Sequence, residues 1–149
     1  VTLASRTFRG RTVRVQTANR VEVDLDLDFG LRLKRTFLLE DFSLQDVPEE
    51  KRSDAKHCLV ILVGGKNLVV RPDPRTRDKW HSLADLRARV YLRERVFGNP
   101  VGFVEQGVSE AGGPVLEISP YMLWLAERGF DVEDVKATMN GSRRDREAG

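Results

Sequence analysis

Between Val21 and Asp28 apolar and acidic residues alternate without a break: Val21, Val23, Leu25 and Leu27 against Glu22, Asp24, Asp26 and Asp28. A strand points successive side chains to opposite faces, so this period of two predicts a half-buried strand with an acidic outer face. Phe29-Gly30 follows as a turn, and alternation resumes in a second strand running from Leu31 to Phe42. A shorter run, Thr12 to Gln16, precedes both, so the three segments read as an antiparallel meander. Arg6, Arg9, Arg11 and Arg14 punctuate the first strand region, either as a solvated face or as an edge that touches phosphates.

From Glu49 to Val63 the period changes. Ala55, Cys58, Leu59 and Leu62 follow the spacing of one helix face, and Gly64-Gly65 ends it. Asn67 to Arg71 is then a short strand, Pro72 to Leu83 a loop, and Leu86 to Val96 a fifth strand. The segment 97–114, with its Asn-Pro and Gly-Gly turns, reads as an inserted loop or hairpin arm, with Val101 to Glu105 as either an extra strand or part of that arm. Ser119-Pro120 opens a helix as N-cap and first helical residue, with Ile118, Tyr121, Met122 and Leu125 on its apolar face. Gly129 ends that helix, and Asp131 to Met139 forms one more. Residues 1–11 are an N-terminal arm leading into the first strand, 12–139 one domain, and 140–149 a polar, flexible tail.

Composition narrows the function. A chain of 149 residues with 40% hydrophobic and 32% charged residues suits one globular domain of ordinary size. A net charge of +2 gives no global case for nucleic acid, so any such case rests on local patches. One patch is visible: Arg71, Arg75, Arg77, Lys79 and Trp80 mix cations with an aromatic, the combination that holds a single strand by phosphate contacts and stacking. Cys58 is the one cysteine, which excludes an internal disulfide and a cysteine-rich metal site. It falls in an apolar helical run and reads as a buried structural thiol. With His57 and His81 the only histidines, a zinc site has too few ligands. No apolar run is long enough to span a membrane and no signal-peptide core is present, so the expected compartment is the cytoplasm.

The meander and the turns around it resemble the staphylococcal-nuclease-like (thermonuclease) family, in particular its shorter bacteriophage members. That family's first strand ends in V-x-D-G-D-T, followed by an alternating V-D-L-D-L-G-F-G run, an R-L segment and a D-x-P-E turn into a helix. Here the alternating strand, the Phe29-Gly30 turn, Asp46-Val47-Pro48-Glu49 and the helix around Leu123-Trp124-Leu125 carry the likeness, over roughly residues 12–130. The fold it implies is mainly β with helices (α+β): a five-stranded OB-type barrel with one helix after the third strand and C-terminal helices packed on it. By the same resemblance Asp46 is a calcium ligand and Glu49 the general base that activates water.

The other catalytic positions have changed. Val15-Gln16-Thr17-Ala18-Asn19-Arg20 stands at the V-x-D-G-D-T turn, putting Asn19 at a metal-binding aspartate and a cation, Arg20, beside it. The first phosphate-clamping arginine aligns with Leu38, Arg35 being three positions away, and the second falls near Asp85 or Leu86 rather than Arg87. Calcium favours several charged oxygens, and each lost electrostatic contact removes on the order of 10²–10³ in rate. The expectation is therefore a catalytically degenerate nuclease-like domain, kept as a binding or structural module. Its expected setting is a bacteriophage accessory or virion-assembly protein inside a bacterial host, with a protein partner met through Phe97, Val101, Phe103 and Val104. The alternative is an active calcium-dependent nuclease using Asp24, Asp46 and Asn19 around the metal and Glu49 as base. A second alternative is a non-catalytic single-strand binder using the cluster from Arg71 to Trp80.

Overall fold

The computed structural model describes residues 7–75, 85–94, 96–102, 108 and 115–140. The N-terminal arm up to residue 6, the loop positions Arg77, Lys79 and Trp80, the contact positions Phe103 and Val104, and the tail from 141 lie outside these residues. Strands β1 (Phe8–Thr17), β2 (Arg20–Asp26) and β3 (Arg32–Leu39) form the expected antiparallel meander. Helix α1 (Arg52–Val63) follows, entered through one 3₁₀ turn at Glu49–Lys51. β4 (Asn67–Pro72) then pairs antiparallel with β1, and β5 (Leu86–Leu92) with β4. Parallel pairing of β5 with β3, from Phe37 opposite Leu86 to Leu39 opposite Ala88, closes the five strands into a barrel. This is an α+β, OB-type barrel with helices packed on it.

The alternation of β2 does what period two requires. Val21, Val23 and Leu25 are buried, and the register sets them opposite Phe37, Arg35 and Leu33 of β3. The strand stops at Asp26 because Asp28, Phe29 and Gly30 all take positive φ (74°, 55° and 77°), which turns the chain; Leu31 N–H donates to Asp28 O at 2.9 Å across the turn. β1 begins earlier than its apolar pattern indicates. Val13 interrupts its register as a bulge between Thr12 and Arg14, so inward positions are Phe8, Gly10 and Thr12 before it and Val15 after it.

The predicted face of α1, Ala55, Cys58, Leu59 and Leu62, is buried against the barrel, and Gly64 N–H caps the end on Val60 O at 2.8 Å. The last helices differ at one point. A two-residue strand β6 (Leu116–Glu117) pairs with Tyr91 and Leu92 of β5 and runs directly into α2 (Ile118–Glu127), so Glu117, not Ser119, is the N-cap. Ser119 is buried and its Oγ has no hydrogen-bond partner. Pro120 is tolerated because first-turn N–H groups have no intrahelical acceptor. The apolar face of Ile118, Tyr121, Met122 and Leu125 is buried as its spacing predicts.

α3 (Val132–Asn140) is tied back to α2. Arg128 donates to both carboxylate oxygens of Asp134 at 3.0 Å, and the Tyr121 hydroxyl donates to Thr138 Oγ1 at 2.9 Å. Burial pushes the Tyr121 hydroxyl up to about 12. A second, smaller apolar cluster lies on the outside of the barrel, where Val108 and Val115 cover Val69 and Tyr91. At its described positions the inserted segment is thus laid on the barrel. Asn99 Oδ1 accepts from the N–H groups of Val101 and Gly102, which makes the expected Asn-Pro turn, and Val101 packs against the main core. No helix among the described residues is long and apolar enough to cross a membrane.

Candidate functional site

The outer face of the meander is an ionic ladder. Asp24 and Asp26 of β2 lie in register between cations, Arg11 and Lys34 for the first and Arg9 and Arg32 for the second, while Glu22 lies between Arg14 and Thr36. Asp24 is the middle rung, its Oδ2 accepting from Arg32 Nε at 3.0 Å. Asp46 is used elsewhere: its Oδ2 accepts from the Ser43 N–H at 2.9 Å and from the Ser43 hydroxyl at 3.4 Å, capping a 3₁₀ turn at Leu44–Asp46. Asn19 Oδ1 accepts from the Thr17 hydroxyl at 2.9 Å in the turn between β1 and β2. Glu49 is exposed at the mouth of α1.

Calcium needs several oxygens converging on one point. Asp24 accepts from Arg32, Asp46 from Ser43 and Asn19 from Thr17, each with a different partner. Among the described residues no three His, Cys, Asp or Glu side chains gather to hold a metal ion.

Where the ends of β3, β4 and β5 meet, a different constellation forms. Leu39 N–H donates to Asn19 O and Glu40 N–H to Ala88 O, both at 2.9 Å, fixing the chain as it leaves β3. The Glu40 side chain reaches Arg75 at 3.3 Å and Arg89 at 3.9 Å. Arg89 also stands 3.9 Å from Asp41 and 4.0 Å from Glu117. Burial works to lower the Arg89 guanidinium, but Glu117, Tyr91 and Glu40 together raise it. Asp73, buried between Pro72 and Pro74, receives Arg75 through its Nε at 3.0 Å and its backbone N–H at 2.9 Å. Those bonds hold the Asp73 carboxyl below the usual carboxylate range. Together Glu40, Arg71, Pro72, Asp73, Pro74 and Arg89 line an open cleft of about 310 Å³.

Of the sequence-derived basic cluster, Arg71 lines this cleft with its cross-strand partner Arg89, and Arg75 is tied to its edge through Asp73 and Glu40. The acids that answer them, Glu40 and Asp73, were not among the sequence candidates. The Pro72-Asp73-Pro74 run was the available signal, since an acid held between prolines at a strand end is positioned rather than loose. Nearby, Arg20 pairs with Asp85 at 2.8 Å, while its Nε is buried without a hydrogen-bond partner. Arg35 lies on the inward face with Phe37 and Leu39, opposite in sense to Leu38; burial lowers its guanidinium against the pull of Asp85. The arrangement can exchange one carboxylate partner for another anion. Elsewhere the one thiol, Cys58, is buried, and burial followed by Asp54, Asp131 and Asp134 pushes it up to about 11. Phe97 keeps 57% of its surface exposed while its N–H donates to Thr138 O at 2.9 Å.

No family model matches the chain. A cytochrome c-550-like protein of Trichodesmium erythraeum (strain IMS101) is similar to it, 40% identical over 47 residues. That match covers 32% of this chain and 28% of the length of that protein. Attachment of a c-type haem uses C-x-x-C-H, and this chain, with Cys58 its one cysteine, has no such run.

Proposed function

We propose that this chain is a non-catalytic binding domain, a degenerate nuclease-like barrel that holds a single-stranded, phosphate-bearing polymer instead of cutting it. The observation that carries this is the fate of the acids. Asp24 pairs with Arg32 and Asp46 caps its own turn, which supports a structural use of both acids over metal binding beside Glu49. Support for a polymer ligand comes from the OB-type barrel, an architecture suited to extended chains, and from the arginines on its surface, which complement phosphate. The bacteriophage setting belongs to this proposal on the strength of the strand-pattern resemblance.

The test is incubation with single-stranded DNA and RNA in millimolar calcium, with Glu49→Ala alongside. Intact nucleic acid with both proteins, together with a measurable mobility shift at low salt, is the expected result. Cleavage that vanishes with chelator and with Glu49→Ala would establish a calcium-dependent nuclease and overturn the proposal.

A further inference from the structure

A second groove lies away from the Glu40 cleft and differs from it in charge. Arg9, Arg11, Arg32 and Arg93 line a depression of about 280 Å³, with Asp26 the one acid among its lining residues. The register explains how two arginines of β1, one of β3 and one just past β5 converge. Arg9 sits opposite Asp26, which sits opposite Arg32, and Arg11 lies opposite Asn67, whose carbonyl accepts from Arg93 N–H at 2.9 Å. Adjacent strands are about 4.8 Å apart, so the cations form a band across the sheet. Asp26, in register with Arg9 and Arg32, offsets part of this charge and Arg32 also pairs with Asp24, but with four arginines to one acid the groove lining stays positive. Among the described residues Arg9 and Arg11 are exposed and make no ion pair with an acid.

The β2–β3 turn stands at the rim of this groove, one residue beyond Asp26 and ending one residue before Arg32, and it carries the least economical residue in the molecule. Phe29 is 99% exposed and has a φ of 55°. A left-handed backbone is strained for any side chain other than Gly, Asn or Asp, and a fully exposed ring gains nothing from packing. Gly30 beside it shares that conformation without penalty. A residue that breaks both local rules with no compensating contact inside the fold points to a use outside it.

We infer that the groove and its rim form a single-strand nucleic-acid site, in which Arg9, Arg11, Arg32 and Arg93 contact successive phosphates and Phe29 stacks on a base. This rests on the binding function proposed above and names the surface that performs it. Guanidinium groups recognise phosphate by paired N–H donors, and a free aromatic face accepts any base, so the site is tolerant of sequence. A duplex has its bases stacked and unavailable to Phe29, so single strands are preferred.

The experiment uses fluorescence anisotropy of a labelled oligothymidine of about 15 nucleotides, long enough for one OB-type barrel, with the full chain and its variants. Phe29→Ala and the double variant Arg9→Gln/Arg11→Gln are the tests, because these side chains are exposed and their loss leaves the core intact. Circular dichroism and thermal midpoints verify that. Phe29→Ala is expected to weaken binding about tenfold, the lower end for loss of one base stack. The double variant is expected to flatten the slope of log affinity against log salt by about 1.4, two contacts at about 0.7 each. Unchanged affinity and slope in both variants, with Arg71→Gln/Arg89→Gln weakened instead, would move the site to the other cleft and overturn this inference while the binding function stands. Loss in the arginine variant without loss in Phe29→Ala, and equal affinity for inorganic polyphosphate, would overturn the stacking site and leave only a basic surface. No binding by the unaltered protein at low salt would remove both the site and the function it rests on.

Discussion

Cys58 shows how a side chain with reactive chemistry is made inert by position. It lies on the inner face of α1, fully buried, and its thiol donates to Phe130 O at 3.4 Å. The thiolate is the reactive form, and burial, then Asp54, Asp131 and Asp134, raise the thiol from 9.0 to about 11. The expected outcome is no reaction with a disulfide reagent at pH 8 in the folded protein and one thiol per chain in denaturant; rapid native labelling would refute it. A group whose folded value is raised contributes stability below the unfolded value near 9.0, and loses that contribution as pH rises through about 11. The burial of Cys58 was legible in the sequence, since its apolar neighbours share a helix face. The role of Asp24 was not. Alternation shows that a carboxylate faces outward, yet its partner, Arg32, comes from a strand whose register only the folded sheet supplies.

At the scale of elements the same division appears in β1. Its apolar pattern is broken by Arg9, Gly10 and Arg11, and the bulge at Val13 then reverses which parity faces inward. A rule of strict alternation therefore recovers only the middle of the strand. Gly10 is the residue that lets this strand pass close over β2. A Cβ added there would sit 2.6 Å from Val23 Cγ1 and 3.0 Å from the Asp24 carbonyl oxygen. The carbonyl belongs to the β2 ladder and cannot move without breaking its pairing, so the barrel must splay. Gly10→Ala is expected to destabilise the fold by about 1–3 kcal/mol, the usual range for overpacking. Urea denaturation would read it as a lower midpoint with an unchanged slope; a midpoint equal to that of the unaltered protein would show that β1 has room the geometry denies. Helices were easier to read than strands here because their apolar faces, in α1 and α2, are uninterrupted.

For the molecule as a whole, the question is whether the segment after β5 is an arm reaching out or a cover holding the barrel. Its glycines and Asn-Pro turn break every regular pattern, so the sequence alone reads as an inserted loop or a hairpin arm. Yet Val108 is 1% exposed and Val115 3%, seated with Val69 and Tyr91 on the face of β4 and β5 that points away from the barrel interior. Those two strand residues are apolar on a face where β1 and β2 carry charge, so the chain has committed this side of the barrel to being covered. A charge at Val108 distinguishes the two roles. In a free arm, Val108→Asp would change stability by no more than about 0.5 kcal/mol, as surface substitutions do. In a cover it places a carboxylate against Val69, Tyr91 and Val115 without a partner, a change that costs several kcal/mol or forces the segment off the sheet. The expected outcome is a clear fall in thermal midpoint together with new binding of a hydrophobic dye, as Tyr91 and Val69 become exposed. A variant as stable as the parent, binding no dye, would return the segment to the role of a projecting arm and make the exposed Phe97 its base.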